Sequence, residues 1–426
     1  MKTYLVGGAV RDLLMGVEPK DRDYVVVGST PQDLLDTGMQ QVGADFPVFI
    51  DQAGDEYALA RRERKTGTGY LGFESEFDVG VTLEEDLSRR DLSINSIAME
   101  QEDEDTFLVF DPYGGQDDLH AKVLRHTSDA FREDPVRVLR LARFRARFGA
   151  DWKVAPETQA LVHQMAKLGV LDELTAERVW KEMSRALMEP FPRLFFDTLL
   201  QCDALKAVFP EVYDLVSSLE SYRWHPEGTA YEHTMLVLTQ AAQHEDRSLE
   251  LMVGALCHDF GKGLTPKDKM PSHYGHDVNG VPVVENFCNR LTVPAKMRDR
   301  AMKSTRYHMY MHKLESLNPK TYVKMFDDMR ALNDPYTVVH LYMVGVFDER
   351  GRLGSENNDL SRLEFLSHAF DAYKTVSFAN VFPQGETNGN KVKAGMKRAR
   401  VAAVATRKKS FYLDNQNMEN NANDQS

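Results

Sequence analysis

Two aspartates one residue apart, Asp21 and Asp23, open the apolar run Tyr24 to Val27. Side chains on a strand return to the same face every second residue, so both carboxylates point one way. Carboxylates that close repel unless a cation lies between them. A hard ion such as Mg²⁺ takes one or two of them and completes its shell with water and phosphate oxygens. Just upstream, Tyr4-Leu5-Val6 feeds Gly7-Gly8 and then Val10-Arg11-Asp12. Glycine lets a backbone approach a ligand closely. The order strand, glycine turn, short helix, loop, strand therefore reads as a metal-dependent phosphate site. Asp-x-Asp alone is also a common solvated turn, and the rest of the chain has to choose between the two readings.

A second set is Arg89-Arg90-Asp91 followed by Asn95, inside Leu87 to Ala98. The apolar spacing of Leu87, Ile94, Ile97 and Ala98 suits a single helix. Arginine supplies the bidentate donors that a triphosphate needs; the bland alternative is a surface ion pair between Arg90 and Asp91. Arg61, Arg62, Arg64 and Lys65 precede a glycine-rich loop, Thr66 to Tyr70, which reads either as a basic flap over a polyanion or as a solvated hairpin. Asp134 before Pro135 is a good helix start. On that helix Arg137, Arg140, Arg143 and Arg147 fall within about 120° of one another. Like charges so close repel, so an arginine stripe without interleaved acids reads as facing an anion or a base.

A third set is rich in histidine. His233 starts an apolar helix, and His258-Asp259 lies in Leu256-Cys257-His258-Asp259-Phe260-Gly261-Lys262-Gly263. His273, His276, His308, His312 and Asp348 follow. Imidazole with carboxylate suits Ni, Mn, Fe or Mg and water-based attack on phosphate. One histidine is usually structural; an adjacent His-Asp closing an apolar helix at Gly-Lys-Gly is harder to read that way.

The elements that must position these groups follow from the chain as a whole. Its 426 residues suggest two to four domains. Residues 1–115 read as α/β, with apolar runs at 24–27, 46–50 and 107–110, and residues 150–220 read as helical scaffold. Three cysteines without paired spacing argue against a disulfide framework and favour a reducing, cytoplasmic setting. No run approaches a membrane span, and Arg11 and Asp12 interrupt anything resembling a signal peptide. A net charge of −13 speaks against nonspecific nucleic-acid binding by the whole surface, though not against a local basic groove. Residues 384–390 and 412–426 read as disordered, with a short basic amphipathic helix over Val392 to Arg407.

Taken in order, Gly7-Gly8-Ala9-Val10-Arg11-Asp12, Asp21-Arg22-Asp23, Arg89-Arg90-Asp91 with Asn95, and Glu133-Asp134-x-x-Arg137-x-x-Arg140 resemble the class II tRNA nucleotidyltransferases. With the His258-Asp259 segment behind them, the chain resembles the bacterial multifunctional CCA-adding proteins, which append an HD phosphohydrolase domain. The match runs over roughly residues 1–405.

The resemblance implies an α+β protein: a polymerase β-like nucleotidyltransferase head (1–115), a neck (116–148), a helical body (149–224), an all-α HD domain (225–370) and a basic C-terminal segment (371–426). It implies template-independent addition of the tRNA 3′-terminal CCA from CTP and ATP. Asp21 and Asp23 correspond to the Mg²⁺ ligands, one ion activating the 3′-hydroxyl and one steadying the triphosphate. Gly8 and Arg11 would hold phosphates, and Arg90 the triphosphate or sugar. Asp134 and Arg137 would read the base edge, while Arg140 and Arg143 complete the pocket. In the HD domain His233, His258, Asp259 and Asp348 match the metal pattern, for a nickel-stimulated phosphatase and magnesium-dependent 2′,3′-cyclic phosphodiesterase and 2′-nucleotidase. The basic residues 61–65, 89–90, 137–147 and 391–409 would line a tRNA-facing side, with Glu84 to Asp86 and Glu102 to Asp105 turned away. The partners implied are tRNA, CTP and ATP, with no membrane and a monomer or weak homodimer. A bacterial poly(A) polymerase and an HD phosphohydrolase with an inactive RNA-binding head are the alternatives.

Overall fold

The computed structural model describes residues 1–42, 47–65, 73–76, 78–103 and 106–423, with side chains left out for 63–65, 73–76 and 414–423. The chain forms two compact units, Met1–Phe209 and Pro210–Ser426.

The first unit begins as an α/β head. Its strands are β1 (Lys2–Val6), β2 (Asp23–Val27), β3 (Gln40–Val42), β4 (Val48–Ile50), β5 (Glu56–Leu59), a separate hairpin of β6 (Arg62–Lys65) and β7 (Phe73–Glu76), then β8 (Ala98–Gln101) and β9 (Phe107–Phe110). They form a mixed sheet in the order β3-β4-β5-β2-β1-β8-β9, in which only β2 and β5 run parallel. Alternation fills both faces. Tyr4, Val6, Val25 and Ala98 pack on one side with Leu87, while Leu5 and Met99 pack on the other with Ala9 and Val10. The covering helices are α1 (Gly8–Leu14), α2 (Pro31–Asp36), α3 (Leu83–Ser88) and α4 (Gly115–Ala121). Thr30 and Thr82 cap α2 and α3 with reciprocal Asp33 and Glu85 bonds, which fixes where each helix starts.

After α4 a short parallel pair, β10 (Val123–Leu124) and β11 (Lys153–Val154), brackets the arginine-rich α5 (Val136–Phe148). Helices α6 (Pro156–Lys167), α7 (Ala176–Met188), α8 (Arg193–Gln201) and α9 (Leu205–Val208) complete the unit. The apolar side of α5 (Val138, Leu139, Leu141, Ala142) is buried, and α5 packs on α7 and α8.

The second unit is helical: α10 (Pro210–Tyr213), α11 (Ala230–Gln243), α12 (Leu249–Cys257), α13 (His276–Arg290), α14 (Ala295–Met311), α15 (Pro319–Asp328), α16 (Tyr336–Arg350), α17 (Phe365–Lys374), α18 (Phe378–Val381) and α19 (Gly389–Asn423). Close backbone approach is built in where Gly261 meets Gly280: a Cβ on Gly261 would lie 2.1 Å from the His276 carbonyl. Among the described residues no helix is long and apolar enough to cross a membrane.

Three local expectations change, and a fourth falls outside the described residues. Leu87 to Ala98 is not one helix; α3 ends at Ser88, Leu92 is extended (φ −127°, ψ 147°), and a short 3-10 turn precedes β8. The cause is Asp91, whose Oδ1 accepts the Leu92 N–H (2.9 Å) and the Asn95 amide (2.9 Å), a side-chain alternative to helix bonds. Asp86 does not face away: it is fully buried and pairs with Arg89 and Arg90. Helix α19 spans Gly389–Asn423 where a helix over Val392 to Arg407 alone was expected. The glycine-rich loop Thr66 to Tyr70 lies outside the described residues.

Candidate functional sites

In the head, Asp23 is the first residue of β2 and Asp21 lies in the loop just before it. Both carboxylates enter a cleft of about 490 Å³ that also receives Gly7, Gly8, Arg11, Arg90, Asn95, Asp134, Arg137, Arg140 and Arg143. The nine residues given a role by the resemblance, Gly8, Arg11, Asp21, Asp23, Arg90, Asp134, Arg137, Arg140 and Arg143, thus face one space. Phe144 and Arg147 join them.

Gly7 adopts φ +73°, ψ −131°, a conformation open to glycine, and a Cβ there would lie 2.9 Å from Arg90 Nη1. The turn therefore lets the Arg90 guanidinium lie directly over the backbone. Arg11 is buried, donates to Asn95 Oδ1 (2.6 Å) and Asp12 Oδ1 (2.9 Å), and stacks near Phe144 and Phe148. Loss of solvation on burial raises the Asp23 carboxyl above its ordinary range; Arg90 counters this and Asp21 adds to it. Among the described residues no hydrogen bond to either side-chain carboxylate occurs. Two paired hard oxygen donors without a protein partner, opposite a guanidinium, fit a divalent cation of the Mg²⁺ type.

At the other wall, α5 turns four arginines toward the cleft and sends Arg145 the opposite way, where it bonds the Gly149 carbonyl (2.8 Å) and closes its own helix end. Arg140 donates to Asp91 (2.7 Å) and Arg143 to Glu182 (2.7 Å). Asp134 accepts the Val136 N–H (3.0 Å) and the Arg178 guanidinium (2.6 Å), which fixes its carboxylate at the start of α5. The body helix α7 thus holds two members of the cleft through Arg178 and Glu182. Neither was singled out from sequence, because their role depends on a packing that local spacing does not report.

In the second unit five elements converge. His233 comes from α11, His258 from the end of α12 with Asp259 after it, His276 from the start of α13, His308 from α14 and Asp348 from α16. His233 Nε2 lies 3.1 Å from Asp348 Oδ1 and 3.8 Å from Asp259 Oδ2. His258 Nε2 lies 3.2 Å from Asp259 Oδ2. His312 contacts the other Asp348 oxygen (2.9 Å) and Glu349 (3.0 Å). His273 is held by Thr265 and the Leu219 carbonyl, on the cavity wall.

The histidine tautomers are set from behind. His258 Nδ1 sits 2.7 Å from the Ala255 carbonyl, which can only accept, so Nδ1 carries the hydrogen and Nε2 presents a lone pair in the neutral ring. His233 Nδ1 is turned to Glu227 (2.9 Å) in the same manner. Histidines oriented this way by a carbonyl or carboxylate are typical metal ligands. His258 Nε2 and Asp259 Oδ1 are buried without a hydrogen-bond partner. Burial would push the Asp259 and Asp348 carboxyls up; Lys262 and His258 around one, and His312 and His233 around the other, hold both well below the usual range. Burial would lower His233, but Asp348 and Glu227 raise it to about 9. The buried nitrogen and oxygen donors converge as borderline ligands that fit a transition-metal ion. Glu227 and Lys262 were missed from sequence. Lys262 lay within the Gly-Lys-Gly end of the motif, whereas nothing local marked Glu227.

Residues 3–125 match the poly A polymerase head domain, residues 151–215 a probable RNA and SrmB-binding site of polymerase A, and residues 230–334 the HD domain. Solved structures with a similar fold include a CCA-adding enzyme in complex with CTP (17% identity, 95% of this chain and 87% of that one, TM-score 0.63). Another is a CCA-adding enzyme in complex with ATP (17%, 95% and 86%, TM-score 0.62). A third is the Bacillus stearothermophilus CCA-adding enzyme in complex with CTP (20%, 98% and 94%, TM-score 0.61). The chain therefore carries, in order, segments that match a poly A polymerase head domain, a probable RNA-binding site and an HD domain.

Proposed function

We infer from these three domains, joined in one chain on the fold of the CCA-adding enzymes, that the protein builds and repairs the 3′-terminal CCA of tRNA from CTP and ATP. The observation that carries this reading is the single cleft that holds Asp21, Asp23 and Arg90 at one end and Asp134 to Arg143 at the other. The 3′-hydroxyl oxygen attacks the α-phosphorus of the nucleotide. The bond to the β-phosphate oxygen breaks, pyrophosphate leaves and the hydroxyl proton passes to water. Asp21 and Asp23 would hold Mg²⁺, which supplies charge neutralisation for the triphosphate and the attacking oxygen. Gly8 allows the phosphates to approach the backbone, and Arg11 and Arg90 hold them. Asp134 offers acceptors and Arg137 donors, a pair able to tell C and A from U and G by their hydrogen-bonding edges. Arg140 and Arg143 fix the helix that presents them.

In the HD domain, His233, His258, Asp259 and Asp348 would hold a divalent ion, nickel for a phosphatase and magnesium for the diesterase and nucleotidase, which supplies Lewis acidity toward a phosphate and its attacking water. Arg352 and Arg362 face the same cavity of about 560 Å³ and can bind phosphate oxygens. Such activities would clear blocked tRNA 3′ ends before addition. The division of the chain at about 115, 148, 224 and 370, a cytoplasmic location and a monomer or weak dimer belong to the same reading.

Incubation with tRNA lacking CCA and each nucleotide separately tests the head. Two C residues from CTP, and one A only after them, are expected; long A tails from ATP alone would point to a poly(A) polymerase. His258→Ala is expected to abolish phosphatase activity while nucleotide addition persists.

A further inference from the structure

We propose that the exposed indole of Trp224 is a stacking platform for the base of a nucleoside 2′-phosphate or 2′,3′-cyclic phosphate entering the cavity of the second unit. This rests on reading the domain as a phosphohydrolase of RNA 3′ ends, and it deepens that reading by naming the side chain that would recognise the nucleoside rather than the phosphate.

Trp224 sits where a tryptophan is seldom left. The chain has three tryptophans. Trp152 is 4% exposed and stacks on Phe148, whereas Trp224 is 61% exposed. An indole left in water forgoes the free energy of burial, so a ring held there suits a partner that covers it. The Arg223 guanidinium lies 4.9 Å from the ring centroid and backs one face. A planar ring has a second face, and Trp224 lines a cavity of about 560 Å³ together with Arg352 and Arg362. That volume lies within the range of about 300–1,000 Å³ for pockets that enclose a small molecule.

The loop that carries the ring is fixed from within. Leu219 bridges Thr229, and the Glu220 N–H donates to the Gly228 carbonyl (2.9 Å), which closes the loop. The Trp224 and His225 N–H groups both donate to the Ser221 carbonyl (2.9 and 2.8 Å). Glu220 pairs with Lys262 (2.5 Å), and Glu227 meets His225 and His233 (2.9 Å each). These side chains anchor the loop to the buried cluster and leave the Trp224 ring outward. A platform anchored in this way stacks without first paying for loop ordering.

The cavity offers the two kinds of contact that a nucleotide needs. Arg352 and Arg362 both pair with Glu349 (3.9 and 3.0 Å), which keeps two guanidinium groups on the lining for phosphate oxygens. Pro271 and Met309 add apolar wall. Trp224 lies close to that end in the fold. The ring of His225, the next residue, is 4.6 Å from that of His233, and His233 is 3.1 Å from Asp348, which Arg352 also approaches (3.7 Å). A phosphate ester without a base would engage only the cationic end, whereas a nucleoside phosphate engages both. Every base has a π face, so the platform should accept all four.

The test uses the full chain with Mg²⁺ and compares hydrolysis of adenosine 2′-monophosphate with that of glycerol 2-phosphate, which has no base. Trp224→Ala should lower the preference for the nucleotide, as a ratio of kcat/KM values, roughly tenfold and through KM, the scale of one lost base stack. Trp224→Phe should restore most of it. Tyr222→Ala, at a ring 80% exposed but not on the cavity lining, should keep the ratio. Binding gives a readout apart from turnover: adenosine 2′-monophosphate should quench tryptophan emission, and Trp224→Phe should remove that quench. A trinucleotide ending in a 2′-phosphate separates the two sources of such a nucleoside. A Trp224→Ala loss shared with the trinucleotide assigns the platform to RNA 3′ ends, and a loss with the mononucleotide alone assigns it to free nucleotides. An unmoved ratio in Trp224→Ala, or the absence of a quench carried by Trp224, would overturn the platform while leaving the phosphohydrolase reading in place. Hydrolysis of neither compound would overturn both.

Discussion

Arg140 on α5 donates its Nε–H to Asp91 Oδ2 across 2.7 Å and so ties that helix to the loop that carries Arg90. Asp91 also accepts from the Asn95 amide, and Asn95 accepts from Arg11. Arg140, Asp91, Asn95 and Arg11 thus form one hydrogen-bonded chain of side chains along the cleft. Burial would raise the Asp91 carboxyl, but Arg140 and Asn95 bring it down to about 2.

Asp91→Asn is expected to destabilise the protein by about 2 kcal/mol. This is the scale of a charge-assisted hydrogen bond, held below the range for fully buried pairs because Arg140 is one third exposed. Urea unfolding at pH 7 reads it. The depressed folded pKa gives the sign of the pH dependence. The contribution is fully present above the ordinary carboxyl value near 4 and is lost as pH falls toward 2. The gap between wild type and variant should therefore stay constant from pH 7 to about 4.5 and shrink below that.

Gly7→Ala would force an alanine into a glycine conformation and set its Cβ against Arg90. The strain costs about 1–3 kcal/mol. Displacing Arg90 from the phosphates should raise KM for CTP and ATP together, roughly tenfold, without altering the choice between them. Steady-state kinetics with each nucleotide distinguishes this from a loss of base selection.

His340 lies buried in the second unit, accepting from Ser304 and donating to the Glu250 carbonyl. Burial, aided by Arg300, pushes its pKa down to about 3, against a smaller opposing effect of Asp334. The unfolded chain takes up this proton near pH 6.5 and the folded one does not. Stability should therefore fall as pH drops below 6.5, by up to about 1.4 kcal/mol per unit. His340→Gln should be less stable at pH 7 and should flatten that slope, as read by thermal melts between pH 7 and 5.

Much of the head site was legible because its residues lie in short local patterns. Asp21 with Asp23 and the spacing of Arg137, Arg140 and Arg143 report a shared face directly. The break at Leu92 was not legible, since the apolar period of Leu87 to Ala98 fits a helix and the Asp91 side chain overrides it. Asp86 was read as turned away from a basic tRNA-facing side, and only tertiary packing brings Arg89 and Arg90 around it. His276 and His308 drew notice as extra candidates, but their convergence on Asp259 depends on α13 packing against α14. The beginning of β2 at Asp23 leaves Asp21 in a loop, yet both carboxylates still reach the cleft.

We propose a division of labour along one cleft, with Asp21 and Asp23 serving the phosphate chemistry of any nucleotide and Asp134 and Arg137 choosing which nucleotide enters. Single-turnover incorporation of each of the four nucleotides into tRNA lacking CCA tests it most directly, comparing wild type, Asp23→Ala and Arg137→Ala. Asp23→Ala should slow CTP and ATP alike by roughly a thousandfold, about 4 kcal/mol. Arg137→Ala should keep measurable turnover while narrowing the preference for CTP over UTP by roughly 5- to 150-fold, the scale of one lost bidentate base contact. Unchanged selectivity in Arg137→Ala, or CTP incorporation by Asp23→Ala at the wild-type rate, would contradict the account.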